Sequence, residues 1–245
     1  MGEPPVTRRL KNRLKAALPS AAARYIQLKE QARRLRGRRR HLQEIFAQIH
    51  AHNLWGDRES ASGPGSSLAE TVALREELPR LLRRLGARSM LDAPCGDCHW
   101  LQHVELDLDR YLGIDIVPEL IAANRQRMAG RKMEFAVADV TRDPLPRADL
   151  ILSRDCLIHF SYFYIAQAIR NFQRSGATWL LTTTYSGVRA NHDILSGQWR
   201  PIDLQLPPFR LAAPGFVIEE KAYEHEGVRC QRLLGLWRLE GIGKV

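Results

Sequence analysis

Between residues 89 and 184 short apolar runs alternate with stretches long enough to form a helix, and this alternation leaves few folds open. Ser89–Ala93, Tyr111–Ile114, Met133–Ala138, Asp149–Ser153 and Thr178–Thr184 read as buried strands. A helix is predicted to start over Cys98–Val104, and others over Pro118–Ala129 and Ser161–Arg174. Strands joined through helices cannot pair as hairpins; they need crossovers, which are right-handed and give a parallel sheet. The pattern changes at the end of the chain. Phe216–Glu224 and Arg229–Leu239 flank Glu226-Gly227, a turn pair, and predict a hairpin that adds an antiparallel element at one sheet edge. Upstream, a helix over Leu68–Leu85 shows an apolar stripe of Leu74, Leu78, Leu81, Leu82 and Leu85. Residues 7–18 and 20–51 read as helical, 52–67 as a Gly/Ser/Pro loop, and 185–215 as a long irregular insertion of the kind that usually carries function.

The formal charge of +10 is local. Residues 1–50 hold 13 of the 37 Lys and Arg and 3 of the 27 Asp and Glu, whereas residues 51–245 hold 24 of each. The expected organisation is therefore a basic helical extension over 1–51 and a neutral domain over 52–245. The run RRLRGRRR at 33–40 suits nucleic acid or another anionic surface, with residues 8–40 as the contact, or else is a solvated helix face. No apolar run reaches about 18 residues, so no membrane span is expected. The N-terminus lacks the apolar core of a signal peptide, so a cytoplasmic location is expected. Four cysteines are too few for a disulfide scaffold. Cys95 and Cys98 make one CxxC without a second ligand pair, and read as small residues of a tight turn rather than a zinc or redox centre.

Three of the strands end in a carboxylate. Asp92 closes the first, in SMLDAPCGDCHW, where a glycine-containing turn lets the backbone approach a ligand at Gly96. About 20 residues on, YLGID places Asp115 at the end of the second, where a carboxylate accepts hydrogen bonds from ribose hydroxyls. Asp139 follows the third, in FAVADV, where it suits an adenine amino group, with the Val140 N–H beside the ring. Any one of these is as readily a helix cap or turn residue. Together, in register with the strand pattern, they predict one nucleoside-binding crevice.

The segments LDAPCGD, LGID and ADV, followed by ADLILSRDCLIHF, resemble in order and spacing the motifs of class I S-adenosylmethionine-dependent methyltransferases. The resemblance spans about residues 55–240. It implies a Rossmann-like α/β fold with a seven-stranded, mostly parallel sheet and the terminal hairpin at its edge. It also implies S-adenosyl-L-methionine as cofactor, with the methionine end near Asp92, Pro94, Cys95 and Gly96, the ribose at Asp115 and Ile116, and the adenine at Asp139 and Val140. Pro94 and Cys98 stand where many members have glycine. Arg154 joins the cofactor candidates; it suits an anionic group, or else an ion pair with a carboxylate. The blocks around Trp55 and Trp199 look like those of a bacterial subgroup of these enzymes.

Methyl transfer to an alcohol needs a base within reach of the hydroxyl. SRDCLIH follows the fourth strand, and His159 has the more suitable unperturbed pKa, with Asp155 to orient it or the nucleophile. His159 is otherwise a structural residue at a helix start. Trp55, Tyr185, His192 and Trp199 are the candidate walls of an acceptor pocket, or a cover over the sheet edge. No metal-ligand triad stands out. The expectation is metal-independent O-methylation of a small molecule or glycan. The alternatives are RNA methylation guided by the basic N-terminal helix, and a non-catalytic cofactor-binding protein.

Overall fold

The computed structural model describes residues 40–243. Its elements run α1 (Arg40–Ala51), α2 (Val72–Leu85), β1 (Ser89–Asp92), β2 (Arg110–Asp115), α3 (Pro118–Arg127), β3 (Met133–Val137), β4 (Leu150–Ser153), α4 (Tyr162–Arg174), β5 (Trp179–Ser186), β6 (Phe216–His225) and β7 (Val228–Arg238). The strands form one sheet in the order β3-β2-β1-β4-β5-β7-β6. β1 to β5 are parallel, and β7 joins antiparallel to both β5 and β6. The fold class expected from the sequence is the one observed, strand for strand.

Alternation along each strand builds two cores. Leu91, Ile114, Ile151, Leu180 and Trp237 face one side, where α4 contributes Ile165, Ala168, Ile169 and Phe172. Met90, Leu150, Leu152, Leu181 and Leu234 face the other, where α2 contributes Leu74, Leu78, Leu81 and Leu82. β4, at the centre, is buried at every position, as expected of a parallel strand covered on both faces.

Two sequence expectations are corrected. The helix expected at Cys98–Val104 is a single 3-10 turn, Trp100–His103, because the chain between β1 and β2 folds against its neighbours instead of spiralling. The α2 helix starts at Val72 rather than Leu68, since the Ser67 carbonyl is taken by the Thr71 N–H and hydroxyl in a preceding turn. The compact body spans Leu42–Val245 by its contacts. Leu42 and Ile49 are buried, and Leu42 belongs to the α4-side core. The expected helix at 7–18, most of that at 20–51, and the Arg-rich run at 33–40 lie outside the described residues.

Candidate functional site

The chain order reverses between β1 and β4, which lie side by side and carry crossovers in opposite directions. At such a switch point the strand ends splay apart and leave a crevice. A cavity of about 1000 Å³, counted out to its open mouth, occupies that position. Asp92, Pro94, Cys95 and Gly96 after β1, Asp115 and Ile116 after β2, and Asp139 and Val140 after β3 all line it. So do Arg154, Asp155 and His159 after β4, and Trp55 from the loop before α2.

Each carboxylate is held differently. Asp92 accepts the Tyr111 hydroxyl on Oδ2 at 2.8 Å, and burial pushes its carboxyl up to about 7. Asp115 accepts the Gly96 N–H on Oδ2 at 3.1 Å and the Val117 N–H on Oδ1 at 2.9 Å. Burial still carries it up to about 6 against those N–H groups. A carboxylate has about four acceptor positions, so Asp115 keeps about two for a pair of hydroxyls. Asp139 is fuller: Oδ1 accepts the Thr141 N–H and hydroxyl at 2.9 and 2.6 Å, and Oδ2 meets Arg142 Nε at 3.2 Å.

Asp155 sits at φ +49°, a left-handed conformation that costs a non-glycine residue energy, though less for Asp than for most. Its N–H donates to Thr183 Oγ1 at 2.8 Å. Burial would raise its carboxyl, but Arg154 at 3.2 Å and Arg232 at 3.5 Å hold it below the ordinary range. Glycine at 65 lets the preceding loop press on this group; a Cβ there would stand 2.8 Å from Asp155 Oδ2. His159 Nδ1 lies 2.9 Å from the Gln198 carbonyl. A carbonyl only accepts, so Nδ1 carries the hydrogen and Nε2 is left as the acceptor. Burial lowers the imidazole below its ordinary value, so the ring is neutral near pH 7. Its face packs on Trp55 at 5.0 Å between centroids, and Trp55 in turn meets Phe46 of α1 at 6.3 Å.

The Gly96 N–H donates to Asp115 Oδ2 at 3.1 Å and the Asp97 N–H to Ser62 Oγ at 2.8 Å. Arg154 lines the cavity and is held by Glu220 at 2.9 Å, Asp155 at 3.2 Å and the Gly65 carbonyl at 2.7 Å. Tyr185, His192 and Trp199 do not line the cavity. Tyr185 is buried on β5 with Trp199 edge-on at 6.4 Å, while His192 and Trp199 pack on His225 of the hairpin. The block around Trp199 is thus a cover over the sheet end.

Residues that sequence reasoning missed include His50, Ser62 and Asp97, which also line the cavity. Ser60 Oγ and the Ala61 N–H bond the Asp97 carboxylate at 3.0 and 2.9 Å, pinning the loop before α2 to the turn after β1. His50 Nδ1 is buried without a hydrogen-bond partner among the described residues. Among the described residues no three His, Cys, Asp or Glu side chains are grouped to hold a metal ion, and no helix is long and apolar enough to cross a membrane.

Residues 90–176 match the model of a family described as a methyltransferase domain. No curated protein sequence matches the chain. Among solved structures, the N-methyltransferase NodS from Bradyrhizobium japonicum WM9, in complex with S-adenosyl-L-homocysteine, is 14% identical with a TM-score of 0.51; the match covers 77% of this chain and 97% of that one. A structure from the conversion of a disulfide bond into a thioacetal group during echinomycin biosynthesis is 14% identical, with a TM-score of 0.53, covering 81% and 91%. The methyltransferase domain of bacterial CtHen1-C is 13% identical at a TM-score of 0.41; the match covers 46% of this chain and 64% of that one. The first two likenesses are of fold.

Proposed function

We propose that this chain, a class I S-adenosylmethionine-dependent methyltransferase, methylates a hydroxyl of an uncharged small molecule or glycan, with His159 as the base and without a metal. The cofactor supplies a methyl group activated by a sulfonium. Asp92, Asp115 and Asp139 would hold it. Asp92 in particular is a buried carboxylate whose only hydrogen-bond donor among the described residues is the neutral Tyr111 hydroxyl, and a cationic ligand end offsets the cost of keeping it charged. Ile116 and Val140, with Pro94, Cys95 and Gly96, supply the surrounding wall.

The neutral, Nδ1-protonated His159 carries the rest of the reading. Such an imidazole accepts a proton at Nε2 as the acceptor oxygen attacks, and the Asp155 charge stabilises the imidazolium that forms. Among the described residues, Arg154, the arginine that lines the cavity, is held by Glu220, Asp155 and the Gly65 carbonyl, and five aspartates line the same cavity. That balance disfavours phosphate or carboxylate acceptors. Trp55 offers a flat apolar face beside His159, suited to a sugar or aromatic ring. The absence of a basic excess over residues 51–245 also weighs against RNA as the acceptor. A reducing, cytoplasmic setting suits the four buried thiols.

The test is transfer of an isotope-labelled methyl group into small-molecule extracts of the native host, with mass spectrometry of the product. A neutral O-methylated product is expected, and His159→Gln is expected to lower its formation about 100-fold or more while S-adenosylhomocysteine still binds. Unchanged turnover by His159→Gln removes His159 from the role of base.

A further inference from the structure

Arg200 is a fully buried arginine with which, among the described residues, no carboxylate forms an ion pair. Burying a guanidinium is costly unless every donor is used. Its Nη1 donates to the Leu157 carbonyl at 3.0 Å, its Nη2 to the Phe160 carbonyl at 2.8 Å, and its Nε to the His192 carbonyl at 3.4 Å. The Tyr162 ring lies 5.9 Å from the guanidinium carbon.

The main chain around Arg200 completes a clamp. The Arg200 N–H donates to the Ile158 carbonyl at 3.3 Å, and the Gly197 N–H to the His159 carbonyl at 2.8 Å. Four consecutive carbonyls, Leu157 to Phe160, are thus each held from the 197–200 segment. Ser196 Oγ accepts the Ser161 N–H at 3.1 Å just beyond them. The held turn is the one that carries His159, and the same segment supplies the Gln198 carbonyl that fixes the imidazole.

We propose that Arg200 is a positioning residue for His159: it locks the 157–160 turn onto the 196–200 segment, so that the imidazole keeps Nδ1 as donor and Nε2 as proton acceptor at the cavity. The inference rests on the assignment of His159 as base. The charged groups that bear on the ring are Asp155, from the end of β4, and Arg200 itself. Asp155 favours the imidazolium and Arg200 disfavours it. The Gln198 carbonyl also favours the protonated ring, while burial, the largest influence, opposes it.

The experiment follows the His159 imidazole by NMR in the full chain, with and without S-adenosylhomocysteine, using His159→Gln to assign the resonance. The unmodified protein is expected to show a single Nδ1–H tautomer at pH 8 and titration below a free imidazole. Arg200→Met is expected to mix the tautomers and move the titration upward, toward the free value. Arg200→Lys keeps a charge but loses the fork, and is expected to mix the tautomers with a smaller movement. S-adenosylhomocysteine affinity should stay within about twofold in both, because Arg200 bonds only to carbonyls outside the Asp92, Asp115 and Asp139 set. A single tautomer and unmoved titration in Arg200→Met overturn the proposal; if that variant does not fold, a single tautomer in Arg200→Lys overturns it. Failure of the unmodified protein to bind S-adenosylhomocysteine would instead count against the cofactor assignment, and the imidazole measurement on the free protein would still decide the role of Arg200.

Discussion

Asp92 shows how a single residue sets opposing demands on stability and binding. Its carboxyl is raised to about 7 by burial, from an ordinary value of 3.8. For a raised carboxyl the native state binds more protons than the unfolded chain, so this group's contribution to stability falls as pH rises from about 4 through about 7. Asp92→Asn removes that cost while its carbonyl still accepts the Tyr111 hydroxyl. The cofactor-free variant is therefore expected to be more stable than the parent at pH 8, by on the order of a few kcal/mol, and no more stable at pH 4. Urea midpoints across that range check it. Loss of stability at every pH would show that Asp92 is held by stronger contacts than the Tyr111 hydroxyl. The same substitution is expected to weaken S-adenosylhomocysteine binding, since the group that costs stability is the one facing the ligand.

At the level of elements, α1 matters more than its sequence indicated. Its last turn brings His50 to the cavity wall, with Nδ1 buried and unpartnered among the described residues, and Phe46 against Trp55. A buried ring nitrogen without a partner calls for one in the loaded protein. His50→Ala is expected to weaken S-adenosylhomocysteine binding about three- to tenfold in calorimetry, with little change in thermal midpoint. Equal affinity in the variant would show that α1 only covers the cavity. The strands and their tip carboxylates were legible because period-two apolar runs and a carboxylate after each are local signals. The contribution of α1 was legible only in part: Leu42, Ile45, Phe46 and Ile49 recur at near-helical spacing, but the charge of the preceding residues pointed to an extension rather than to a wall of the cavity. Of the loop at 52–67, Trp55, Ala61 and Ser62 line the cavity. Tyr185, His192 and Trp199 lie outside that lining, and aromatic residues in a loop serve equally to wall a pocket or to cover a sheet end. Only the carbonyl contacts of Arg200, distant in sequence from 157–160, separate the two uses.

Across the whole molecule, the order β3-β2-β1-β4 brings Asp139, Asp115, Asp92 and Asp155 to one side of the sheet, although 63 positions of chain separate Asp92 from Asp155. The hairpin at the far edge reaches the same crevice through an ion network. Glu220 on β6 pairs with Arg154 at 2.9 Å and with Arg232 on β7 at 2.8 Å, and Arg232 reaches Glu70 at 3.0 Å. Paired charges of this kind fix geometry more than they add stability. The most direct test of the account is calorimetric titration of S-adenosylhomocysteine into the unmodified chain and into Asp115→Ala. One-to-one binding is expected in the first and affinity lower by about tenfold or more in the second, the loss of one or two hydrogen bonds to a charged acceptor. No binding to the unmodified chain, or equal binding to both proteins, would contradict it.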